Sequence, residues 1–414
     1  MKFKRLLLFI GVTVISISGI AQQGAVYKDS TQPTEARVQD LLRRMTPEEK
    51  FWQLFMIPGE LDKADTLQFS NGLFGFQVSA GNKSDAGGQL LQYNTNESAQ
   101  ALAKKINSIQ RHFVQKTRLG IPIIPFDEAL HGLVRDGATV FPQAIALAAT
   151  WDTALMSKVS AAIAAETKQR GIRQVLSPVV NIAADVRWGR TEETYGEDPF
   201  LSSAMGVAFV KAFESRGIIT TPKHFIANVG DGGRDSYPIH LSERVLEEIY
   251  LPPFKACIEK GGSRSLMTAY NSVNGVAASS NHRLLMEKLK KQWGFTGFVI
   301  SDANAVGGEV VLHNTAKDYP ESGTHALNGG LDVIFQTEYK HHQLFMPSFL
   351  DGSIDSNRIN DAVSRVLRAK FELGLFERPY VSEDIKPLFS HKQIAKQAAL
   401  ESFVLLKNTS RPGQ

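Results

Sequence analysis

The chain has 414 residues, of which 43% are hydrophobic and 21% charged, the composition of an ordinary globular protein. Length alone allows two or three domains, or one barrel of ~250 residues with additions. The formal charge of +4 is concentrated at the start: Lys2, Lys4 and Arg5 precede every acidic residue, and without them 43 basic side chains face 42 acidic ones, a net of +1. Charge therefore makes no case for a nucleic-acid partner or an anionic membrane.

The first residues read as a secretory leader. A basic start is followed by the apolar stretch Leu6 to Ile17, then by Gly19 and Ala21 at −3 and −1 of a cut, which places the leader over residues 1–21. As a membrane anchor the stretch falls short of the ~20 residues a span needs, and no stop-transfer pattern follows. The expectation is an exported protein, periplasmic or extracellular, free of the membrane once the leader is removed. Export permits disulfides, but Cys257 is the sole cysteine and cannot form an internal bridge. A buried small hydrophobe is its expected role.

From there strands and helices alternate. Short apolar runs predict strands at Trp52 to Ile57, Gly72 to Val78, Ile121 to Phe126, Gln174 to Val180, Thr220 to Phe225, Ser265 to Tyr270, Gly297 to Asp302 and Asp332 to Gln336. Helical sequence lies between them at Glu97 to Thr117, Thr153 to Arg170, Pro199 to Ser215, Glu243 to Glu259 and Arg283 to Gln292. Several of these stop at a glycine: Gly120, Gly171, Gly217, Gly261 and Gly294. Such alternation implies a mostly parallel α/β sheet. An open doubly wound sheet alternates in the same way. A (β/α)8 barrel of the TIM type is preferred, because the strand count is near eight and polar residues close many strands, not only one switch point. The barrel domain is placed at 22–376 and ends on an amphipathic helix, Ile354 to Leu373. Residues 377–391, with Pro379 and Pro387, read as a linker. Residues 392–414 read as the truncated opening of a second α/β sandwich domain, with a helix at Lys392 to Glu401 and a strand at Ser402 to Leu406.

The chemistry is expected at the carboxyl ends of the strands. Gly297-Phe298-Val299-Ile300 stops at Ser301-Asp302, and Asp302 is the expected reacting group. Lys223-His224 closes another strand; two basic groups in an apolar strand are costly to bury without partners. They form either a structural ion pair with Asp302 or Asp198, or a grip on substrate hydroxyls that keeps Asp302 ionised. Glu128 follows a strand within Asp127-Glu128-Ala129-Leu130-His131-Gly132, where Asp127 and His131 serve equally well as loop-stabilising partners. The segment Arg187 to Pro199 is dense in charge; a solvated loop fits it, and so does a binding loop in which Arg190 points its planar donor fork at hydroxyls or a carboxylate. No zinc-type His/Cys spacing, no Gly-x-Gly-x-x-Gly and no Gly-x-Ser-x-Gly elbow occurs, so neither a metal nor a cofactor is expected. His341-His342 reads as a surface pair.

Taken together, Glu128-Ala129-Leu130-His131-Gly132, Thr139-Val140-Phe141-Pro142-Gln143, Arg187-Trp188-Gly189-Arg190, Tyr195-Gly196-Glu197-Asp198-Pro199, Lys223-His224-Phe225, Ala269-Tyr270-Asn271 and Ser301-Asp302 occur in the order seen in glycoside hydrolase family 3. The chain resembles the N-terminal domain of that family of β-glucosidases and β-xylosidases from about Ala36 to Asn408, and Glu401 to Asn408 resembles the opening of its second domain. The resemblance implies an exo-acting, retaining β-glycosidase acting on terminal β-D-glucosyl or β-D-xylosyl residues of oligosaccharides. Asp302 matches the nucleophile that forms the glycosyl-enzyme intermediate. Glu128, Arg190, Lys223, His224 and Arg234 match positions that grip the innermost sugar, and Met267 and Tyr270 match residues beside the nucleophile.

Three departures accompany the match. Ala303 stands where many members have tryptophan. Glu128 stands where many glucosidases have aspartate, and glutamate there is similar to the xylosidase branch. Two-domain members usually take their acid/base glutamate from the second domain, and this chain ends before it; Tyr237 stands where the histidine–aspartate pattern of single-domain hexosaminidases needs histidine. Two other readings stay open: a sugar-binding protein without turnover, and an aldolase-type barrel with Lys223 as Schiff-base amine.

Overall fold

The computed structural model describes residues 24–61, 67–81, 91–385 and 391–409. The leader expected over residues 1–21 lies outside the described residues.

Eight short parallel strands organise the molecule: β1 (Phe55–Pro58), β2 (Gly75–Gln77), β3 (Phe126–Asp127), β4 (Gln174–Val175), β5 (Ile219–Thr220), β6 (Ser265–Met267), β7 (Phe298–Ile300) and β8 (Ile334–Phe335). One curled sheet runs β8-β1-β2-β3-β4-β5, in register through Phe55↔Ile334, Met56↔Gly75, Gln77↔Phe126, Phe126↔Gln174 and Gln174↔Ile219. β6 and β7 form a second parallel pair through Ser265↔Phe298. Single parallel bridges join the two pieces at both edges, Phe225↔Thr268 on one side and Ile300↔Val333 on the other. The pairing order is thus cyclic, which is consistent with the expected (β/α)8 barrel.

The interior is packed, not hollow. Phe298 on β7 meets Phe74, which leads into β2, with ring centroids 5.6 Å apart and planes inclined at 67°. Phe126 on β3 meets Phe335 on β8 at 5.7 Å. Neither pair belongs to neighbouring strands, so both contacts cross the inside of the sheet. Strands closed on both faces in this way carry continuous apolar runs, which is why the sequence pattern marks them so plainly.

The first expected strand begins too early. Trp52 and Gln53 belong to a helix, Pro47–Gln53, whose start is fixed by a capping box: the Glu49 amide donates to Thr46 Oγ1 at 3.2 Å, and the Thr46 amide donates to Glu49 Oε2 at 2.9 Å. A cap of this kind contributes about 1 kcal/mol. The helices at Ala99–Lys116, Thr153–Gln169 and Pro199–Glu214 agree with expectation to within two residues, each capped by Ser98, Asp152 or Asp198. The stretch expected as one helix from Glu243 to Glu259 is broken into Glu243–Val245, a wide turn Leu246–Tyr250, and Pro252–Glu259. Pro252 and Pro253 have no N–H to give, which accounts for the break. Helix termination falls on Gly262, with φ +82°, and not on the expected Gly261.

At the carboxyl end the helix Lys392–Glu401 packs against the helices Ala144–Ala149 and Thr153–Gln169, with His391 Nδ1 2.8 Å from Glu166 Oε1. The strand expected at Ser402 to Leu406 is not formed. A strand must exchange hydrogen bonds with a neighbour, and none pairs with this segment among the described residues. Leu405 and Leu406 are 75% and 92% exposed. The second domain therefore rests on the sequence reading alone. Among the described residues, no helix is long and apolar enough to cross a membrane.

Candidate active site

A cavity of about 420 Å³ opens where the strands end. Gln77 ends β2 and Glu128 follows β3; Leu176 follows β4; Lys223 and His224 lie past β5; Met267 ends β6; Asp302 follows β7; Phe335 closes β8. Seven of the eight strands thus send a side chain to one point. Arg190, Glu193 and Asp235 enter from loops, and Leu91 and Tyr93 come from the segment after β2.

Two ion-paired groups face each other across it. Lys223 Nζ lies 2.7 and 2.9 Å from the two oxygens of Glu128, on the side of β3. Burial raises the Glu128 carboxyl above its ordinary value, and the Lys223 ammonium opposes that shift. Arg190 presents Nε and Nη2 to the two oxygens of Glu193 at 2.6 and 3.1 Å, and Nη1 stands 3.6 Å from Asp235. The expected donor fork exists, and its partner is a carboxylate of its own loop.

His224 lies between. Arg190 Nη2 donates to its Nε2 at 3.0 Å, so Nε2 is the acceptor and the ring proton sits on Nδ1, 3.0 Å from Asn181 Oδ1. Asn181 also accepts from the His224 amide at 2.7 Å and donates to its carbonyl at 2.8 Å, which fixes the ring from three directions. Burial, with Arg190 and Lys223 beside it, holds His224 well below the ordinary histidine range, hence neutral.

Asp302 completes the site. Its Oδ1 accepts from the Ala303 amide at 2.7 Å. Its Oδ2 is buried, stands 3.5 Å from His224 Nε2, and has no hydrogen-bond partner of good geometry among the described residues. Burial pushes the carboxyl above the ordinary aspartate range; Arg190 and Lys223 pull it back without cancelling the effect. Burial, then the Asp302 charge, drives the Tyr270 hydroxyl well above the usual tyrosine value, so Tyr270 stays protonated beside the carboxylate.

The structure gathers Glu128, Arg190, Lys223, His224, Met267, Tyr270 and Asp302 around this cavity. It does not bring in Arg234, which is exposed, with its guanidinium 5.7 Å from the Tyr237 ring; its neighbour Asp235 takes the place at the cavity. Asp198 is no partner of Lys223 or His224. It caps the helix Pro199–Glu214 through the Leu201 amide at 2.6 Å. Lys223 Nζ is tied to both oxygens of Glu128, which speaks against a nitrogen free to form a Schiff base. The His341-His342 pair is not on the surface: His341 is buried, and His342 packs on Trp52 and Tyr339 at 5.0 and 4.6 Å. Asp127 and His131 serve the loop, Asp127 pairing with Arg135 and His131 Nδ1 lying 2.9 Å from the Phe141 carbonyl. Gln77, Leu176 and Phe335 were absent from the expected set although they end strands as the others do. Tyr93 belongs to a two-residue strand, Gln92–Tyr93, paired antiparallel with Ala80–Gly81, and Asp235 to a loop; neither is long enough to show a periodicity.

This geometry agrees with the comparisons. The model of the glycosyl hydrolase family 3 N-terminal domain matches residues 48–369. A β-xylosidase of Formosa agariphila is 34% identical over 341 residues, covering 75% of this chain and 46% of that protein. A periplasmic β-glucosidase of Salmonella typhimurium is 32% identical over 394 residues, covering 90% and 48%. Among solved structures, a β-glucosidase from Erythrobacter marinus superposes with a TM-score of 0.82 at 31% identity, covering 94% of this chain and 52% of that one. A β-glucosidase from Listeria innocua, in complex with isofagomine, gives 0.77 at 29% identity over 91% and 52%. The chain spans about half the length of the curated relatives it matches. With its motifs, its parallel sheet and its strand-end cavity, the chain belongs to glycosyl hydrolase family 3, of which it carries the N-terminal domain.

Proposed function

We propose that the protein is an exported glycoside hydrolase that removes terminal β-D-glucosyl or β-D-xylosyl residues from oligosaccharides with retention of configuration. One observation carries the reading: Asp302 presents a buried oxygen, with no protein partner of good hydrogen-bond geometry among the described residues, to the same cavity that the Lys223–Glu128 pair lines. Asp302 Oδ2 attacks the anomeric carbon, and the C1–O bond to the leaving group breaks, leaving the sugar on the carboxylate. Water then attacks the same carbon, the C1–Oδ2 bond breaks, and the proton that the water sheds balances the one the departing oxygen takes up from solvent. Lys223, Glu128, His224 and Arg190 hold the sugar hydroxyls, and the Tyr270 hydroxyl steadies the carboxylate. Export is supported by the leader reading and by a relative described as periplasmic. Closure of the eight strands into a full barrel belongs to the same proposal, as does a second domain begun at residue 392.

Nitrophenyl β-D-glucoside and β-D-xyloside test the activity, and proton NMR of the first-formed sugar tests retention. An α-anomer released first overturns the retaining mechanism.

A second reading has its own support. Every other carboxylate lining the cavity faces a cation: Glu128 with Lys223, Glu193 and Asp235 with Arg190. A site without a free acid binds sugar and turns it over poorly, and a chain that binds glucose or xylose yet leaves both nitrophenyl glycosides intact decides for a sugar-binding protein.

A further inference from the structure

Tyr93 is 40% exposed at the cavity, yet buried polar groups hold it from behind. Its hydroxyl accepts from Gln77 Nε2 at 3.1 Å, and Gln77 is fully buried at the end of β2. The guanidinium of Arg135 lies 5.3 Å from the centre of its ring. Arg135 is itself locked, donating to both oxygens of the fully buried Asp127 at 3.0 and 3.1 Å, and Asp127 accepts further from Ser79 Oγ at 2.5 Å and from the Glu128 amide at 2.9 Å. A solvent-facing aromatic ring ordinarily pays entropy for staying put; this one is fixed by a buried charge pair and a buried amide.

Its position gives that rigidity a use. Gln77 and Glu128 stand at the ends of β2 and β3, while Asp302 follows β7, across the ring of strands. Burial of the hydroxyl, and after it the Glu128 charge, pushes the Tyr93 phenol well above the usual tyrosine value and keeps it protonated. A sugar whose anomeric carbon meets Asp302 therefore carries its far edge, C4 and the C5 substituent, toward Glu128 and Tyr93. We propose that Tyr93 is a specificity-determining residue: its rigid ring walls off the space that a C5 hydroxymethyl group needs, so the pocket prefers a terminal pentopyranose such as D-xylose to D-glucose. This rests on the reading of Asp302 as the group that meets the anomeric carbon. Asp127 and Arg135 are positioning residues that act through the ring.

The test compares D-xylose and D-glucose binding by NMR titration to the full chain and to Tyr93→Ala, Tyr93→Phe and Arg135→Met. The native chain is expected to bind xylose more tightly. Tyr93→Ala is expected to shift the ratio of dissociation constants toward glucose by roughly ten-fold, the scale at which one carbon group is discriminated in a pocket. Tyr93→Phe keeps the ring and is expected to keep the native ratio, and Arg135→Met is expected to fall between the two. Thermal unfolding of each variant confirms that it folds, and Tyr93→Phe keeps the comparison open if Tyr93→Ala does not. A native preference for glucose, a ratio unmoved in Tyr93→Ala, or a ratio moved equally by Tyr93→Phe overturns the assignment and leaves sugar binding intact. A native chain that binds neither sugar overturns the parent reading and this one with it.

Discussion

His224 Nε2 stands 3.5 Å from Asp302 Oδ2 and offers it no proton, because Arg190 Nη2 already donates to that nitrogen at 3.0 Å. The single lone pair of that neutral nitrogen is thus taken, and Asp302 Oδ2 is the acceptor that faces an entering sugar hydroxyl. The histidine stays neutral because it is buried and flanked by Arg190 and Lys223.

That neutrality makes a pH prediction. The folded-state value of His224 lies below its unfolded value of 6.5, so between the two the unfolded chain binds a proton that the folded chain refuses. Stability contributed by this site is present above pH 6.5 and is lost as pH falls below it. Thermal unfolding at pH 7.5 and 5.5 for the native chain and His224→Gln reads it: the margin by which the native chain exceeds the variant shrinks at the lower pH. A margin that widens or stays constant counts against a neutral His224.

Asp302 has the opposite sign. Its carboxyl is raised above 3.8, so the folded state holds the proton more readily than the unfolded one, and ionisation at neutral pH costs stability. Asp302→Asn is therefore expected to melt at or above the native temperature while losing ~10⁴–10⁶-fold in turnover, the scale seen when a nucleophile is removed. A fluoro-sugar that traps the intermediate is expected to label the peptide carrying Asp302. A label on another carboxylate, or a variant that melts far lower, refutes the assignment.

Lys223 separates grip from scaffold. Lys223→Met leaves Glu128 without its cation, which is expected to cost about 1–3 kcal/mol in a site only partly closed to water. The double variant Lys223→Met/Glu128→Gln removes the stranded charge, so its melting temperature is expected to recover in part, while D-xylose and D-glucose binding stays lost. Recovery of sugar binding along with stability returns Lys223 to a purely structural role.

These predictions show which parts of the site the sequence could reveal. Glu128, Lys223, His224, Met267 and Asp302 sit where an apolar parallel strand ends, and that pattern is local, so a single sequence displays it. Gln77 and Phe335 obey the same rule and were readable by it. Arg234 and Asp235 are adjacent in a loop, and nothing local says which of two neighbours turns inward; the 3.6 Å pairing of Asp235 with Arg190 decides it. Trp52 carries strong strand propensity, yet the Thr46–Glu49 capping box upstream extends a helix through it. Ser402 to Leu406 has an apolar strand's composition, but composition supplies no neighbour to hydrogen-bond with.

That last segment leaves Phe403, Val404, Leu405 and Leu406 between 62% and 92% exposed. Contiguous apolar side chains on an unpaired segment invite association. Sedimentation of the chain is expected to show concentration-dependent self-association that Val404→Lys/Leu406→Lys abolishes. Equal sedimentation of the two proteins at all concentrations would show that the segment is harmless.

The leaving group offers the sharpest probe of the chemistry. Glycosidic cleavage needs a nucleophile and, for a poor leaving group, an acid; a positioned acid is worth ~10²–10⁴-fold. Asp302 supplies the first. Both oxygens of Glu128 accept from Lys223 Nζ at 2.7 and 2.9 Å, and both oxygens of Glu193 accept from Arg190 at 2.6 and 3.1 Å, so neither turns a free oxygen to the leaving group. Dinitrophenyl glycosides leave as stable phenolates and need no acid, so this chain is expected to release dinitrophenol while cellobiose and xylobiose barely react. Rates across a series of aryl β-glycosides should then fall steeply as the pKa of the departing phenol rises. Efficient disaccharide cleavage, or a flat series, would mean that an acid acts within the barrel loops. Glu193 is the first to replace in that case, because it lines the cavity from the loop that carries Arg190.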